Sequence, residues 1–332
     1  MHRPLSALSL FAPLAAVAAG IDGAGGRLPP SSAPADRHPV RILAIGNSFS
    51  LSLCKFFPAA AAAAGAPVEF CSLYIGGCSL ARHADNIRKA EEDPDFAPYG
   101  VTWFHADRPA APVKFNANIP QMLATQAWDV VTIQQASPAS WNPATYRPAA
   151  DEVVAEIRRL APQAEIVVHQ TWAYNAADAR LRPGEKSWGF DQAGMAERVE
   201  SAYRKLADDF GLRTIPVGAA VRMRREALAA EGRVFDPASL EGLAPGQTPD
   251  LRGEPVGNFW WKTDAASGER TFQSDTIHLN PAGQYLQAMV WLGFFSGLDV
   301  AALDLALPGT ERFAADLPDL RAAAARALAA VR

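Results

Sequence analysis

"VRILAIGNSFSLSLCKFF", residues 40–57, decides how the rest of the chain is read. An apolar run from Val40 stops at Gly46-Asn47-Ser48, and a helical pattern follows. That is the opening strand–turn–helix unit of an alternating β/α chain. Gly46 permits a tight turn where a side chain would clash. Ser48 then falls at the first turn of a helix, where free backbone N–H groups favour negative charge. Serine is also among the commonest helix caps, so the position reads either as a cap or as a nucleophile.

The same rhythm continues outward. "LCKFFPAAAAAAG" (53–65) reads as helix one with Gly65 as its stop, and "APVEFCSLYI" (66–75) as strand two. "SLARHADNIRKAEED" (79–93) is an amphipathic helix. Strand three is "AWDVVTIQQ" (127–135), followed by a helix over 145–161. Strand four is "AEIVVHQ" (164–170), followed by the long helix 191–211 and a fifth strand, "LRTIPV" (212–217). "NPAGQYLQAMVWLGFFSG" (280–297) and the alanine-rich tail close the chain as helices. Strands separated by helices imply a parallel sheet covered on both faces. The expected fold is α/β, a flavodoxin-like three-layer α/β/α sandwich with a five-stranded parallel sheet. Inserted segments interrupt it near 96–118, where "YGVTWFHADRPAAPVKFN" suggests a small hairpin, and as long loops near 171–190 and 233–274. Loops this long are usually functional or disordered, and the tryptophans in the last two favour order.

Of 332 residues, 49% are hydrophobic and 20% charged, with a net charge of −4, which is globular and mildly acidic. No block of Lys and Arg points to nucleic acid. Residues 1–25 have a basic start, an apolar middle and a small-residue end, the layout of a secretory signal. Residues 26–39 read as a flexible leader, and 40–332 as a single domain. A secreted or periplasmic location is expected, without stable membrane insertion after signal removal, because nothing later is long and apolar enough to span a bilayer. Of the three cysteines, Cys71 and Cys78 could pair in an exported protein, leaving Cys54 buried. No Cys/His spacing suggests a structural zinc site, and neither a metal nor an organic cofactor is expected.

Ligands bind where the carboxyl ends of parallel strands line one edge. The polar residues at those ends are Asn47 and Ser48, Gly77, the pair Gln134 and Gln135, and His169. Just before the late helix comes "SDTIHLN" (274–280). Its Asp275-x-x-His278 spacing, on a loop, lets a carboxylate reach an imidazole Nδ1–H and leaves Nε2 free to take a proton from Ser48. Backbone N–H groups of Ser48 and Gly77 are candidate oxyanion donors. A side-chain amide would complete them: Gln135 is favoured and Gln134 is its rival, since strand alternation sends the two to opposite faces. His169 suits either a hydrogen-bonded strand end or, with Trp172, substrate positioning. Asn47 and Trp260 complete the candidate substrate-binding set.

"IGNSFS", "IGGCSL" and "SDTIHLN", in that order, resemble the blocks of the SGNH (GDSL-like) hydrolase superfamily over roughly residues 40–298. "LAIGNSFS", "YIGGCSL", "WDVVTIQQAS" and "HQTWAY" look more specifically like a little-characterised bacterial branch of it. The resemblance implies a serine nucleophile at Ser48, an oxyanion donor at Gly77, His278 as the base and Asp275 as the carboxylate that orients it. Two departures stand out: Asn47 replaces the usual Asp, and the Gly-x-Asn-Asp block is absent, "QQASPAS" standing there instead. Gln135 is the replacement donor in this reading, with Ser137 as another.

The expected activity is that of a serine esterase, deacetylating a carbohydrate through an acyl-enzyme. Its partner would be a small-molecule or oligosaccharide ester. The alternatives are a carbohydrate-binding protein on a lapsed hydrolase fold and a phosphate-binding α/β module.

Overall fold

The central strands of the sheet form because their apolar residues run nearly without interruption. Ile42 to Ile45 of β1 (Val40–Gly46) are almost wholly buried, the signature of a strand covered on both faces. In the computed structural model, which describes residues 38–331, β1 pairs in parallel with β2 (Val68–Tyr74) on one side. On its other side it pairs in parallel with β5 (Val130–Ile133), followed outward by β6 (Glu165–His169) and β7 (Arg213–Ile215). The five parallel strands thus lie in the order β2-β1-β5-β6-β7.

The sheet has seven strands rather than five. The segment expected as a small hairpin forms β3 (Tyr99–Phe104) and β4 (Val113–Ala117). It does not stand apart: β3 pairs antiparallel with β2, and β4 caps that edge. Tyr99, Val101 and Phe104 face into the core, which is what draws the hairpin onto the sheet.

Helices cover both faces. The first is broken: α1 (Ser48–Leu51) passes through a tight turn at Ser52–Lys55 before α2 (Phe57–Ala63). Pro58 at the start of α2 cannot donate a helical hydrogen bond, so it begins a helix more readily than it continues one. Helices α3 (Leu80–Glu92), α4 (Ile119–Ala124) and α5 (Ala149–Leu160) pack together, and α6 (Gln192–Phe210) covers β6 and β7. A second group comprises α2, α7 (Val217–Ala230), α8 (Pro281–Ser296) and α9 (Leu317–Ala329). The sequence reading left α7 unassigned. Its apolar stripe is interrupted by Arg224, which is fully buried and paired with Asp316 and Asp319 near the start of α9.

Residues 233–274 are not one long loop. An antiparallel ribbon, β8 (Val256–Thr263) with β9 (Arg270–Leu279), occupies their second half and runs past them. Asp275 and His278 therefore lie on a strand, not on the loop expected. Cys54, Cys71 and Cys78 are all free thiols, so Cys71 and Cys78 do not pair. Cys71 sits in the middle of β2, whereas Cys78 closes the turn that follows the strand. The signal expected over 1–25, and the leader expected over 26–39 up to residue 37, lie outside the described residues. Among the described residues no helix is long and apolar enough to cross a membrane.

Candidate active site

Asn47 caps α1: its Oδ1 accepts the Phe49 N–H at 3.1 Å. Ser48 is the first helical residue, and its own N–H has no acceptor within the helix. Gly46 is required here for space. A Cβ at that position would lie 2.3 Å from Ser50 Oγ and 3.1 Å from Gln134 Cδ.

The ribbon brings the other two groups to this helix. His278 Nε2 lies 2.8 Å from Ser48 Oγ, and His278 Nδ1 lies 2.8 Å from Asp275 Oδ2. A carboxylate only accepts, so Nδ1 carries the proton and Nε2 is the acceptor facing the serine hydroxyl. Asp275 Oδ1 takes the backbone N–H groups of Ile277 and His278 at 3.0 and 3.1 Å. Partial burial pushes the Asp275 carboxyl up, but the His278 hydrogen bond and the two backbone N–H groups outweigh it. The carboxyl is held below its ordinary value.

Strand β9 is held against the site by the segment after β6. Trp172 Nε1 donates to Ile277 O at 2.9 Å, and the Asn175 N–H donates to Thr276 O at 2.8 Å. Thr276 Oγ1 donates to Asp178 Oδ2 at 2.6 Å. Trp172 also stacks flat on Phe49, with ring centroids 4.0 Å apart, and Phe49 meets His278 edge-on at 5.6 Å. One indole therefore touches the helix of Ser48 and the strand of His278 together.

Beside Ser48, Ile75 to Cys78 form a turn closed by the Cys78 N–H on Ile75 O. Gly77 has φ +61°, a left-handed conformation that glycine adopts without strain. Its N–H takes no part in closing the turn. Asn47 Nδ2 donates to Cys78 O at 3.0 Å, tying the turn to the helix cap.

Six of the candidate residues are engaged elsewhere in the fold. Gln135 is only 1% exposed. Its Oε1 accepts the N–H groups of Leu80 and Ala136, and its Nε2 donates to both Thr145 O and Thr145 Oγ1, so its donors are directed away from an oxyanion. Gln134, the rival, is equally enclosed, and Ser137 accepts from the Tyr174 hydroxyl. Asn47, His169 and Trp172 are buried and cannot touch a substrate from where they stand. His169 instead bonds Gln134 and Gln287, and burial lowers its pKa to about 3. Trp260 alone of the candidate substrate residues is open to solvent, at 46% exposure. It pairs with Gln273, two positions along the ribbon from the Asn258–Asp275 pair and so on the same face. Gln287, Phe49 and Thr276 escaped the sequence reading. A signal for Gln287 was present: it is an amide set between Leu286 and the apolar run that follows in α8, where a buried polar group needs partners. Among the described residues no group of three or more His, Cys, Asp or Glu side chains is placed to hold a metal ion.

A family model described as "Domain of unknown function (DUF4886)" matches residues 41–231, more than half of the chain. The chain belongs to this family. The DUF4886 match takes in Ser48 and Gly77 and ends before Asp275 and His278. The crystal structure of a DUF4886 family protein from Bacteroides uniformis is similar, with 26% identity and a TM-score of 0.67 over 88% of this chain and 95% of that one. Fainter likenesses follow. A candidate SGNH hydrolase from Slackia heliotrinireducens has 21% identity and a TM-score of 0.44, over 77% of this chain and 98% of that one. A candidate GDSL-like lipase from Parabacteroides merdae has 14% identity and a TM-score of 0.42, over 78% and 95%. No curated protein matches the DUF4886 chain.

Proposed function

We propose that the protein is a serine hydrolase of carboxylic esters working through an acyl-enzyme. One observation carries this reading: the line from Ser48 Oγ through His278 to Asp275, closed by two contacts of 2.8 Å. In the proposed cycle His278 Nε2 takes the Ser48 proton as Oγ attacks the ester carbonyl. The N–H groups of Ser48 and Gly77 receive the oxyanion. The tetrahedral intermediate collapses as His278 returns the proton to the departing alcohol. Water then attacks the acyl-enzyme with His278 again as base, releasing the acid and restoring Ser48. Asp275 fixes the imidazole tautomer and stabilises the imidazolium in both halves.

For the substrate we infer an acylated carbohydrate, supported by Trp260, an exposed indole on the same ribbon as Asp275 and His278. With residues 1–25 read as an export signal, the enzyme acts outside the cytoplasm.

The test is acetate release from acetylated oligosaccharides and from a chromogenic acetate. Turnover by the wild type and none by Ser48→Ala, with an acyl adduct on Ser48 by mass spectrometry, is the expected result. Equal rates for the two proteins would end the esterase reading. A lapsed, sugar-binding protein is the second reading, favoured by the engagement of Gln135 elsewhere. It would show sugar affinity without Ser48-dependent turnover.

A further inference from the structure

Beneath Ser48 runs a set of buried side chains that the proposed chemistry does not use. Asn47, Gln134, His169 and Gln287 come from four separate elements of the chain, and none is more than 2% exposed. Gln287 Nε2 lies 3.3 Å from His169 Nε2, and His169 Nδ1 lies 2.7 Å from Gln134 Oε1. Gln134 Nε2 lies 2.6 Å from Asn47 Oδ1, and Asn47 Nδ2 lies 3.0 Å from Cys78 O.

The direction of every link is set by backbone groups at the two ends. Asn47 Oδ1 also receives the Phe49 N–H, which can only donate, and Asn47 Nδ2 faces Cys78 O, which can only accept. At the other end Gln287 Nε2 faces Phe49 O at 2.8 Å, so it is a donor. Its Oε1 receives the Ser52 hydroxyl at 2.6 Å. Between these ends only one proton arrangement fits. Gln287 donates to a bare His169 Nε2, His169 Nδ1–H donates to Gln134, Gln134 donates to Asn47, and Asn47 donates to Cys78 O. Turning any member round would set donor against donor or acceptor against acceptor among buried groups.

We propose that Gln134 is a positioning residue for the reaction at Ser48. As the middle of this one-way chain, it sets Asn47 so that the Gly77 turn and the helix of Ser48 are held in one fixed relation. The proposal rests on the esterase reading above. The two backbone donors belong to the ends of different strands, β1 and β2. The Asn47–Cys78 bond is a side-chain tie between them. The chain also grips Phe49, the residue after the nucleophile, by its N–H at one end and its C=O at the other. Gly46 leaves Gln134 the space to lie there.

Two variants test this. Gln134→Met keeps the length of the side chain and loses both hydrogen bonds. Asn47→Asp keeps the helix cap and cannot donate to Cys78 O, so it carries the test if the first does not fold. For each folded variant kcat on a chromogenic acetate should fall about 10–100-fold with KM within about twofold, the pattern of a misplaced donor rather than lost binding. Affinity for a boronic acid, whose tetrahedral adduct mimics the oxyanion state, should fall in parallel. A folded variant that keeps kcat and boronate affinity within about twofold of wild type would overturn the proposal and leave the esterase reading standing. A wild type no faster than Ser48→Ala would remove both. Nitrogen NMR of the histidine side chains reads the chain without any substrate. His169 should carry its proton on Nδ1 in the wild type, and the opposite tautomer would overturn the proposal whatever the activity.

Discussion

At Gly46 the backbone is tight because the space beside it is already taken by Ser50 and Gln134. Gly46→Ala should lower stability by about 1–3 kcal/mol, the usual cost of overpacking a filled interior, read as a shifted urea midpoint. Gln135 makes the opposite point. Read from sequence it was an oxyanion donor; in the fold it satisfies two N–H groups and a carbonyl at the head of α3 and the turn near Thr145. Gln135→Ala should cost about 1–3 kcal/mol for each N–H left unpaired, and thermal unfolding would register it. Single residues with a local signature were legible: Ser48 after a strand, Gly77 in a glycine turn, Asp275 three before His278. Partners supplied by distant segments were not. Nothing in "TIQQAS" tells which glutamine meets His169 and which meets Leu80.

Among the elements, the strands and most helices follow from periodicity, and the departures have local physical causes. Arg224 interrupts the apolar stripe of α7 because its charge is neutralised by residues more than ninety positions away. The ribbon β8–β9 lacks clean alternation because it carries aromatic groups on both faces. Phe259 and Phe272 stack on one, while Trp260 stands on the other. No two-residue period announces such a strand. The ribbon is seated by the segment after β6, and Trp172 is the contact that reaches both sides of the site. Trp172→Phe keeps a ring against Phe49 and removes the hydrogen bond to Ile277 O. The expected loss is about 1 kcal/mol of net hydrogen bonding, and kcat/KM should fall several-fold as β9 gains freedom. Unchanged kinetics would show that the ribbon holds His278 without that bond.

For the whole molecule, the order of the parallel strands agrees with the doubly wound expectation, and the extra pair at the β2 edge is the addition. A hairpin could be read from residues 99–116, but its docking could not, because the pairing of β3 with β2 is a tertiary choice. The interior also holds two titratable imidazoles, and these set an acid limit on stability. Burial lowers the pKa of His169 to about 3; burial, helped by the nearby Arg82 charge, does the same for His83. An unfolded chain would titrate both near 6.5. Between those values the unfolded state binds protons that the folded state refuses. The stabilisation is therefore complete above about pH 6.5 and lost as the pH falls toward 3, at up to about 1.4 kcal/mol per pH unit for each histidine. Asp275, whose folded pKa is lowered, adds to the loss further into acid. Urea midpoints measured at several pH values should drop steadily below neutrality. A flat profile would mean that both imidazoles take up their protons without the fold opening.

Ser48 and His278 stand 230 positions apart in the chain. A polypeptide still being made, or cut anywhere between them and separated, holds a hydroxyl with no base to activate it. In the proposed chemistry such a fragment is silent, and the ability to form an acyl adduct arrives in one step when the ribbon docks. Labelling of Ser48 by a fluorophosphonate would then report completion of the tertiary structure during refolding, rather than the appearance of its helices.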